Sequence, residues 1–464
     1  MTMLETTTAP GGVAAPPGAR RRRGGRWITD WRPEDPAFWA DTGESVARRN
    51  LVFSIFSEHI GFSVWSLWSV FVLFLGPEYG FSPAQKFLLT TVSGAVGAAM
   101  RIPYTFAVAR FGGRNWTLVS ALLLLAPCAY TAVVLEPDVS FSALLAAAAI
   151  GGVGGGNFSS SMANIDGFYP VRLKGWALGL NAGGGNIGVA AVQLVGLAVL
   201  TVLGKDHPRA LLAIYVPLVV VSAVFAWLFM DNLASAANDR RAMRDVARDA
   251  HTWIISFLYI GTFGSFIGFG FAFGQVLQVQ FHSTFDTPIK AAYVTFLGPL
   301  LGSLIRPVGG RLADRFGGSR VTILTFVAMA GGASVVLAAS QAASLPLFVA
   351  GFVALFVCSG LGNGSTYKMI PAIFQAKAAR LVAEGADLDA AARDARRLSR
   401  ALIGIAGATG AFGGVAVNLA LRQSFLERQT GDAAYVAFIA YYAACVAVVW
   451  FVYRRSTPRR LDGV

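Results

Sequence analysis

Charge is what this sequence has least of. Of its 464 residues only 14% are Asp, Glu, Lys or Arg, where a soluble globular domain carries about 25%. So few charges cannot give two or three soluble domains a polar surface. Cysteine and histidine are also scarce, at three and four residues. Cys128, Cys358 and Cys445 lie singly inside apolar runs with no C-x-x-C partner. They read as small buried hydrophobes, which excludes a disulfide scaffold. Four His leave too few ligands for a His/Cys metal site. No metal or cofactor is expected. Nucleotide loops and catalytic triads are missing from the apolar runs, so an enzyme has little support.

What is present is apolar length. Hydrophobic residues make up 55% of the chain, and runs of roughly 20 or more recur, each enough to cross about 30 Å of hydrocarbon. Twelve spans are expected: 51–76, 84–109, 115–135, 141–165, 174–203, 210–230, 252–277, 289–310, 319–340, 345–374, 399–421 and 432–453. The fold class is an all-α membrane protein of twelve transmembrane helices in two six-helix pseudo-symmetric halves. Residues 1–49 form a flexible polar arm, with Arg20 to Arg23 near its start and no cleaved signal. The halves are 50–230 and 252–454, joined by a charged linker, 231–251, and followed by a tail, 455–464.

The net charge is +13, with 38 Lys and Arg against 25 Asp and Glu. In a soluble protein that excess would point to nucleic acid, but no basic patch with stacking aromatics accompanies it, so no nucleic-acid partner is expected. Twenty-nine of the 38 lie on the side that carries both termini. Six lie on the other side: Lys86, Lys205, Arg209, Lys290, Arg422 and Arg428. Cytoplasmic loops carry the excess of Lys and Arg. Both termini are therefore expected in the cytoplasm, with the chain multi-pass in the inner cell membrane.

Three basic residues remain inside spans: Arg101, Arg306 and Lys368. Two of them are related by an internal repeat. Ala109-Arg-Phe-Gly-Gly-Arg114 echoes Asp314-Arg-Phe-Gly-Gly-Ser319, and Arg101 and Arg306 each lie nine residues before the Arg of that echo. Gly156-Asn157 likewise echoes Gly362-Asn363. The register later jumps by about 20 residues, which an extra loop from Gln375 to Leu398 accounts for. Parallel six-helix repeats with a central site describe a secondary transporter of rocking type.

A cation in mid-bilayer costs about 2.5–3.5 kcal/mol on insertion scales. The only clearly internal carboxylate is Glu58, so two equivalent Arg have at most one deep partner between them. Such a pair wants an anion. Guanidinium is planar, always charged and two-pronged, which suits a small flat oxyanion. Lys368 reads equally as a third cation for the ligand or as a snorkelling side chain.

Two glycine-rich stretches flank these residues. They are Gly151-Gly-Val-Gly-Gly-Gly-Asn157-Phe158-Ser-Ser-Ser-Met-Ala-Asn-Ile165, with Ala177-Leu-Gly-Leu-Asn181-Ala-Gly183, and Gly360-Leu-Gly-Asn363-Gly-Ser-Thr-Tyr-Lys368-Met-Ile-Pro371. Close helix packing explains most of the Gly but not the recurring Asn and Ser, whose amides are available to a polar ligand. These stretches resemble the two nitrate signature motifs of the nitrate/nitrite porter (NarK-type) family. The loop Gly310 to Arg320 resembles the loop motif of the major facilitator superfamily. The resemblance covers about 50–453. It implies the major facilitator fold and a carrier whose Arg101 and Arg306 clamp nitrate or nitrite. It further implies aromatic rings above and below the anion, with Phe158, Phe263, Tyr259 and Asn181 at the matching places.

Two modes of transport fit. Both anions are ionised near neutral pH, so two fixed Arg bind either one without a proton, which favours nitrate/nitrite exchange. Glu58 and His59 are an ionisable pair inside the first span and candidates for proton coupling, which would give proton-driven nitrate uptake. Glu58 reads alternatively as a partner for Arg101, Arg306 or Lys368. A transporter-like anion sensor signalling through the arm is the rival from another class. The carrier is expected to be monomeric, with the lipid bilayer and its two substrates as partners.

Overall fold

A computed structural model of the chain describes residues 22–23, 26–235, 239–455, 461 and 464. Among these residues, eleven helices are long and apolar enough to cross a membrane: α1 (Pro36–Phe74), α3 (Gly113–Val134), α4 (Phe141–Phe168), α5 (Val171–Val202), α6 (Ala210–Phe229), α7 (Ala250–Gln280), α8 (Pro288–Phe316), α9 (Gly318–Gln341), α10 (Leu345–Ala383), α11 (Leu388–Arg428) and α12 (Asp432–Arg454). The twelfth, α2 (Pro83–Phe111), is as long as its neighbours but carries Lys86, Arg101 and Arg110. Arg101, one of the two central arginines, sits in it.

The repeat has a concrete cause at the helix ends. Gly112 ends α2 at φ 88° and Gly317 ends α8 at φ 90°, a backbone region closed to side chains with a Cβ. Each is followed directly by the next helix, so the Phe-Gly-Gly echo is a one-residue corner used twice. The second glycine is constrained by space instead. A Cβ on Gly113 would lie 1.7 Å from Asn164 Oδ1, and one on Gly318 would lie 2.6 Å from Met369 Cγ.

Pseudo-symmetry extends to the packing. A Cβ on Gly155 of α4 would fall 2.7 Å from Gly97 Cα of α2. In the other half, one on Gly360 of α10 would fall 2.1 Å from the Gly302 carbonyl of α8. The pair α1 and α5 matches α7 and α11 in the same way, through Gly188 against the His59 carbonyl and Gly264 against Gly413. Small residues let the helix backbones touch where dispersion is the main attraction.

The arm differs from the expected flexible segment. Its portion before Arg22 lies outside the described residues, but α1 begins at Pro36. Asp35 caps it by accepting the Ala37 and Phe38 N–H groups at 3.0 and 3.2 Å, and Pro36 fits the first turn. Trp31 stacks edge-on to Phe168 and donates to the Gly167 carbonyl at 3.2 Å. Trp27–Ile28 pairs in parallel with Asn232–Leu233 of the linker. The linker is itself anchored, since buried Asp231 pairs with Arg49 and Asn50 of α1. The extra loop expected at Gln375 to Leu398 is mostly helix. It extends α10 to Ala383 and begins α11 at Leu388, with Gly385 at φ 100° in the turn between.

The described part of the arm and Val464 meet one face of the bundle, called here the terminal face. The arm pairs with the linker there, and the Val464 carbonyl accepts from Ser319 Oγ at the start of α9, at 2.7 Å. On the far face the halves are in contact. Phe87 stacks on Phe425 at 5.5 Å, Thr90 donates to Asn418 at 3.1 Å and Gln275 donates to the Pro83 carbonyl at 2.6 Å. Toward the terminal face the halves part around a cavity of about 640 Å³.

Gly112→Ala and Gly317→Ala are each expected to cost about 1–3 kcal/mol, read as a lower unfolding midpoint of the detergent-purified protein. Gly179→Ala, where a Cβ meets open space at ordinary φ, should leave the midpoint unchanged.

Candidate functional site

Arg101 projects from α2 and Arg306 from α8. They are 0% and 5% exposed, each one residue or two before a proline inside its helix (Pro103 and Pro307). No carboxylate lies within ion-pair distance of either one among the described residues. Arg101 donates from one terminal nitrogen to the Gly407 carbonyl of α11 at 2.8 Å, leaving Nε and the other terminal nitrogen without a partner. Arg306 donates to the Tyr259 hydroxyl at 3.1 Å, and its second terminal nitrogen is likewise unpartnered. Each guanidinium lies within electrostatic reach of the other.

Aromatic rings surround this pair. The Arg101 guanidinium carbon is 4.5 Å from the Phe158 ring centre and 4.8 Å from that of Phe263, which are 6.1 Å from each other. Tyr259 is stacked nearly parallel on Phe263 at 5.3 Å. A cation over a ring face is favourable, so the rings hold the guanidinium in place while excluding water from its free N–H groups. Phe158, Phe263 and Tyr259 thus gather with the two Arg.

The other expected residues divide. Asn181 bonds to neither guanidinium group. It donates to Glu58 Oε2 at 2.6 Å and to Ser161 Oγ at 2.8 Å. Ser161 also donates to that carboxylate oxygen. Glu58 is 1% exposed and lies within electrostatic reach of both Arg without pairing to either. His59 Nδ1 is 3.2 Å from the Gly184 carbonyl of α5. Asn157 and Asn363 occupy equivalent places on α4 and α10, both buried, and neither carboxamide has a hydrogen-bond partner.

Lys368 stands apart. Its ammonium pairs with Asp314 at 2.9 Å, and its side chain is 38% exposed. Asp314 lies eight residues beyond Arg306 on α8, about 12 Å along the axis, so Lys368 reaches the end of the bundle and not its centre. Reading depth from an apolar run misplaced it, because α10 continues well past the run. The residue before it, Tyr367, was passed over and belongs to the group. Its ring lies 5.7 Å from the Arg306 guanidinium carbon and 5.3 Å from the Tyr259 ring. Its place beside Lys368 in the second glycine-rich stretch was the available signal.

The cavity leads inward from the terminal face to this cluster. Phe158 and Tyr367 line it, while Asp166, Arg397 and Arg400 lie nearer its mouth. Arg400 of α11 bridges to Asp166 of α4 at 2.7 Å, and Lys174 meets the same carboxylate at 3.0 Å. That contact joins the two halves across the mouth. Among the described residues, no three His, Cys, Asp or Glu side chains gather to hold a metal ion.

Residues 51–417 match the family model of the Major Facilitator Superfamily. The nitrate/nitrite transporter NarU of Salmonella typhimurium is 37% identical over 93% of this chain and 97% of its own length. This chain belongs to the nitrate/nitrite porter family. NarU of Escherichia coli is 36% identical, covering 92% of this chain and 96% of NarU. A Thermus thermophilus protein named "Probable nitrate/nitrite antiporter NarK2" is 37% identical over 75% of this chain and 83% of its own. Crystal structures of a D-xylose–proton symporter and of the human organic anion transporter MFSD10 share the fold. Their TM-scores are 0.62 and 0.60 at 15% and 14% identity, covering 86% and 87% of this chain and 96% and 99% of theirs. As a member of this family the chain is a multi-pass membrane transporter and not an enzyme.

The mouth contact is partly exposed, and such pairs contribute about 0.2–1 kcal/mol. Arg400→Gln should therefore speed thiol labelling of a Ser159→Cys probe in the cavity by no more than about fivefold.

Proposed function

We propose that the protein exchanges nitrate and nitrite across the inner cell membrane by alternating access, with one anion at a time held between Arg101 and Arg306. The observation that carries this reading is the pair of buried guanidinium groups, one from each half, with unpartnered N–H groups and no carboxylate bound. The names of the relatives at 36–37% identity support the choice of anions. Nitrate and nitrite are small, flat and monovalent, and their oxygens accept in-plane bonds from a two-pronged donor. The site also draws its parts from both six-helix halves of one chain, so a monomer suffices.

Exchange follows from the charge. An unloaded site would have to pass through the closed state with two neighbouring positive charges short of partners, which low dielectric makes unfavourable. An anion removes that obstacle, so the carrier crosses loaded in both directions. With the excess of Lys and Arg placed in the cytoplasm, the terminal face is the inner one and the cavity opens inward. Proton-coupled uptake would instead require Glu58 or His59 to take a proton in each cycle.

Proteoliposomes loaded with nitrite are expected to take up nitrate in proportion to the nitrite inside, with or without a pH gradient. Uptake that follows the pH gradient and ignores internal nitrite would replace exchange with proton coupling. Arg101→Ala and Arg306→Ala should each abolish uptake. Arg306→Lys keeps the charge but loses the fork. It should weaken nitrate binding by at least about tenfold, since a hydrogen bond to a charged group is worth about 1.5–3 kcal/mol. Unchanged binding by Arg306→Lys would overturn the clamp.

A further inference from the structure

Tyr367 has three properties that the clamp does not account for. Its ring forms part of the wall of the inward cavity. Its hydroxyl is buried and has no hydrogen-bond partner. That hydroxyl also lies within electrostatic reach of both Arg101 and Arg306, on the side of Arg306 where the ring sits 5.7 Å from the guanidinium carbon. A buried phenol with no partner is costly unless a ligand completes it. Tyr259 is in a different position, because its hydroxyl already accepts from Arg306 at 3.1 Å and so orients that guanidinium.

The free donors of the cluster can be set against the two anions. Three guanidinium nitrogens are unpartnered, two on Arg101 and one on Arg306, as are the Asn157 and Asn363 carboxamides and the Tyr367 hydroxyl; of these polar groups outside the clamp, Tyr367 is the one that lines the cavity. Nitrite has two oxygens and nitrate has three, with the same charge. Two facing cations satisfy two oxygens of either anion. The third oxygen of nitrate then needs a donor of its own, or it is buried unpaired. Sites discriminate strongly when one ligand satisfies a buried polar group that its analogue leaves empty.

We propose that Tyr367 is a specificity-determining residue, whose hydroxyl donates to the third oxygen of nitrate and favours nitrate over nitrite in the inward-facing site. This rests on the nitrate/nitrite reading above.

The test measures nitrate and nitrite binding to the purified full-length protein by calorimetry. The wild type should bind nitrate more tightly, and a preference for nitrite would overturn the assignment. Tyr367→Phe removes one oxygen and keeps the ring. It should weaken nitrate by about tenfold while changing nitrite by less than about twofold. Equal loss of both anions would make Tyr367 a packing residue, and no change in either would remove it from the site; both results overturn the proposal. Tyr259→Phe should weaken both anions together by freeing Arg306, and a loss confined to nitrate would give the role to Tyr259 instead. If the wild type binds neither anion, the transport reading falls and takes this proposal with it. A wild type that binds both, with an unaltered ratio in Tyr367→Phe, defeats the Tyr367 assignment alone.

Discussion

Two permanently charged groups are held inside an apolar bundle with no carboxylate ion-paired to either among the described residues, and much of the rest of the molecule serves that arrangement. The insertion cost of each Arg has to be offset by other groups. Part of the offset is visible in the Phe158 and Phe263 rings beside Arg101, and part in the Gly407 carbonyl and the Tyr259 hydroxyl. None of these removes the charge. What remains is a deficit of partners at the centre of the bundle, and on the exchange reading proposed above an anion fills it.

Small residues are the second requirement. For Arg101 and Arg306 to face each other, α2 and α8 must both border the space between the halves while staying packed within their own half. Gly97 against Gly155 and Gly302 against Gly360 permit it, since any side chain at these contacts would push a span outward. Asn157 and Asn363 sit in these thin helices and keep their carboxamides unsatisfied, an arrangement tolerable only beside a polar ligand or water. The same lack of side chains leaves the helix contacts smooth enough to shift.

Much of this was legible in the residues themselves. The helix class, the two halves and the pairing of Arg101 with Arg306 all follow from run length and from one repeated spacing, because both halves obey the same packing constraint. What could not be read was depth and direction. Lys368 lies in an apolar context like the two Arg, yet it pairs with Asp314 at the bundle end because α10 outruns its apolar stretch. Tyr367 points inward one residue earlier, and adjacent helical residues differ by about 100° in direction. Asn181 donates to Glu58, a partner that its motif did not indicate, since a buried carboxylate attracts a nearby amide strongly. The arm is polar in composition, yet Trp31 packs on Phe168 at the end of α4, and Trp39 packs on Tyr169, 5.7 Å away, with Arg172 of α5 over its ring. Sparse aromatic anchors in a polar segment carry little periodic signal.

The one-residue corners at Gly112 and Gly317 bear on how such a carrier moves. A helix joined to its neighbour by a loose loop is able to slip along its own axis. One joined through a single glycine is pinned at that end, and only swinging remains. The corner after α2 and the corner after α8 lie in matching places of the two halves, each with a single glycine as the joint. Each arginine lies eleven residues before its corner glycine, or about 16 Å along the helix. Over that distance a small change of angle at the corner is a larger lateral change at the guanidinium, so the glycine φ sets where each grip stands.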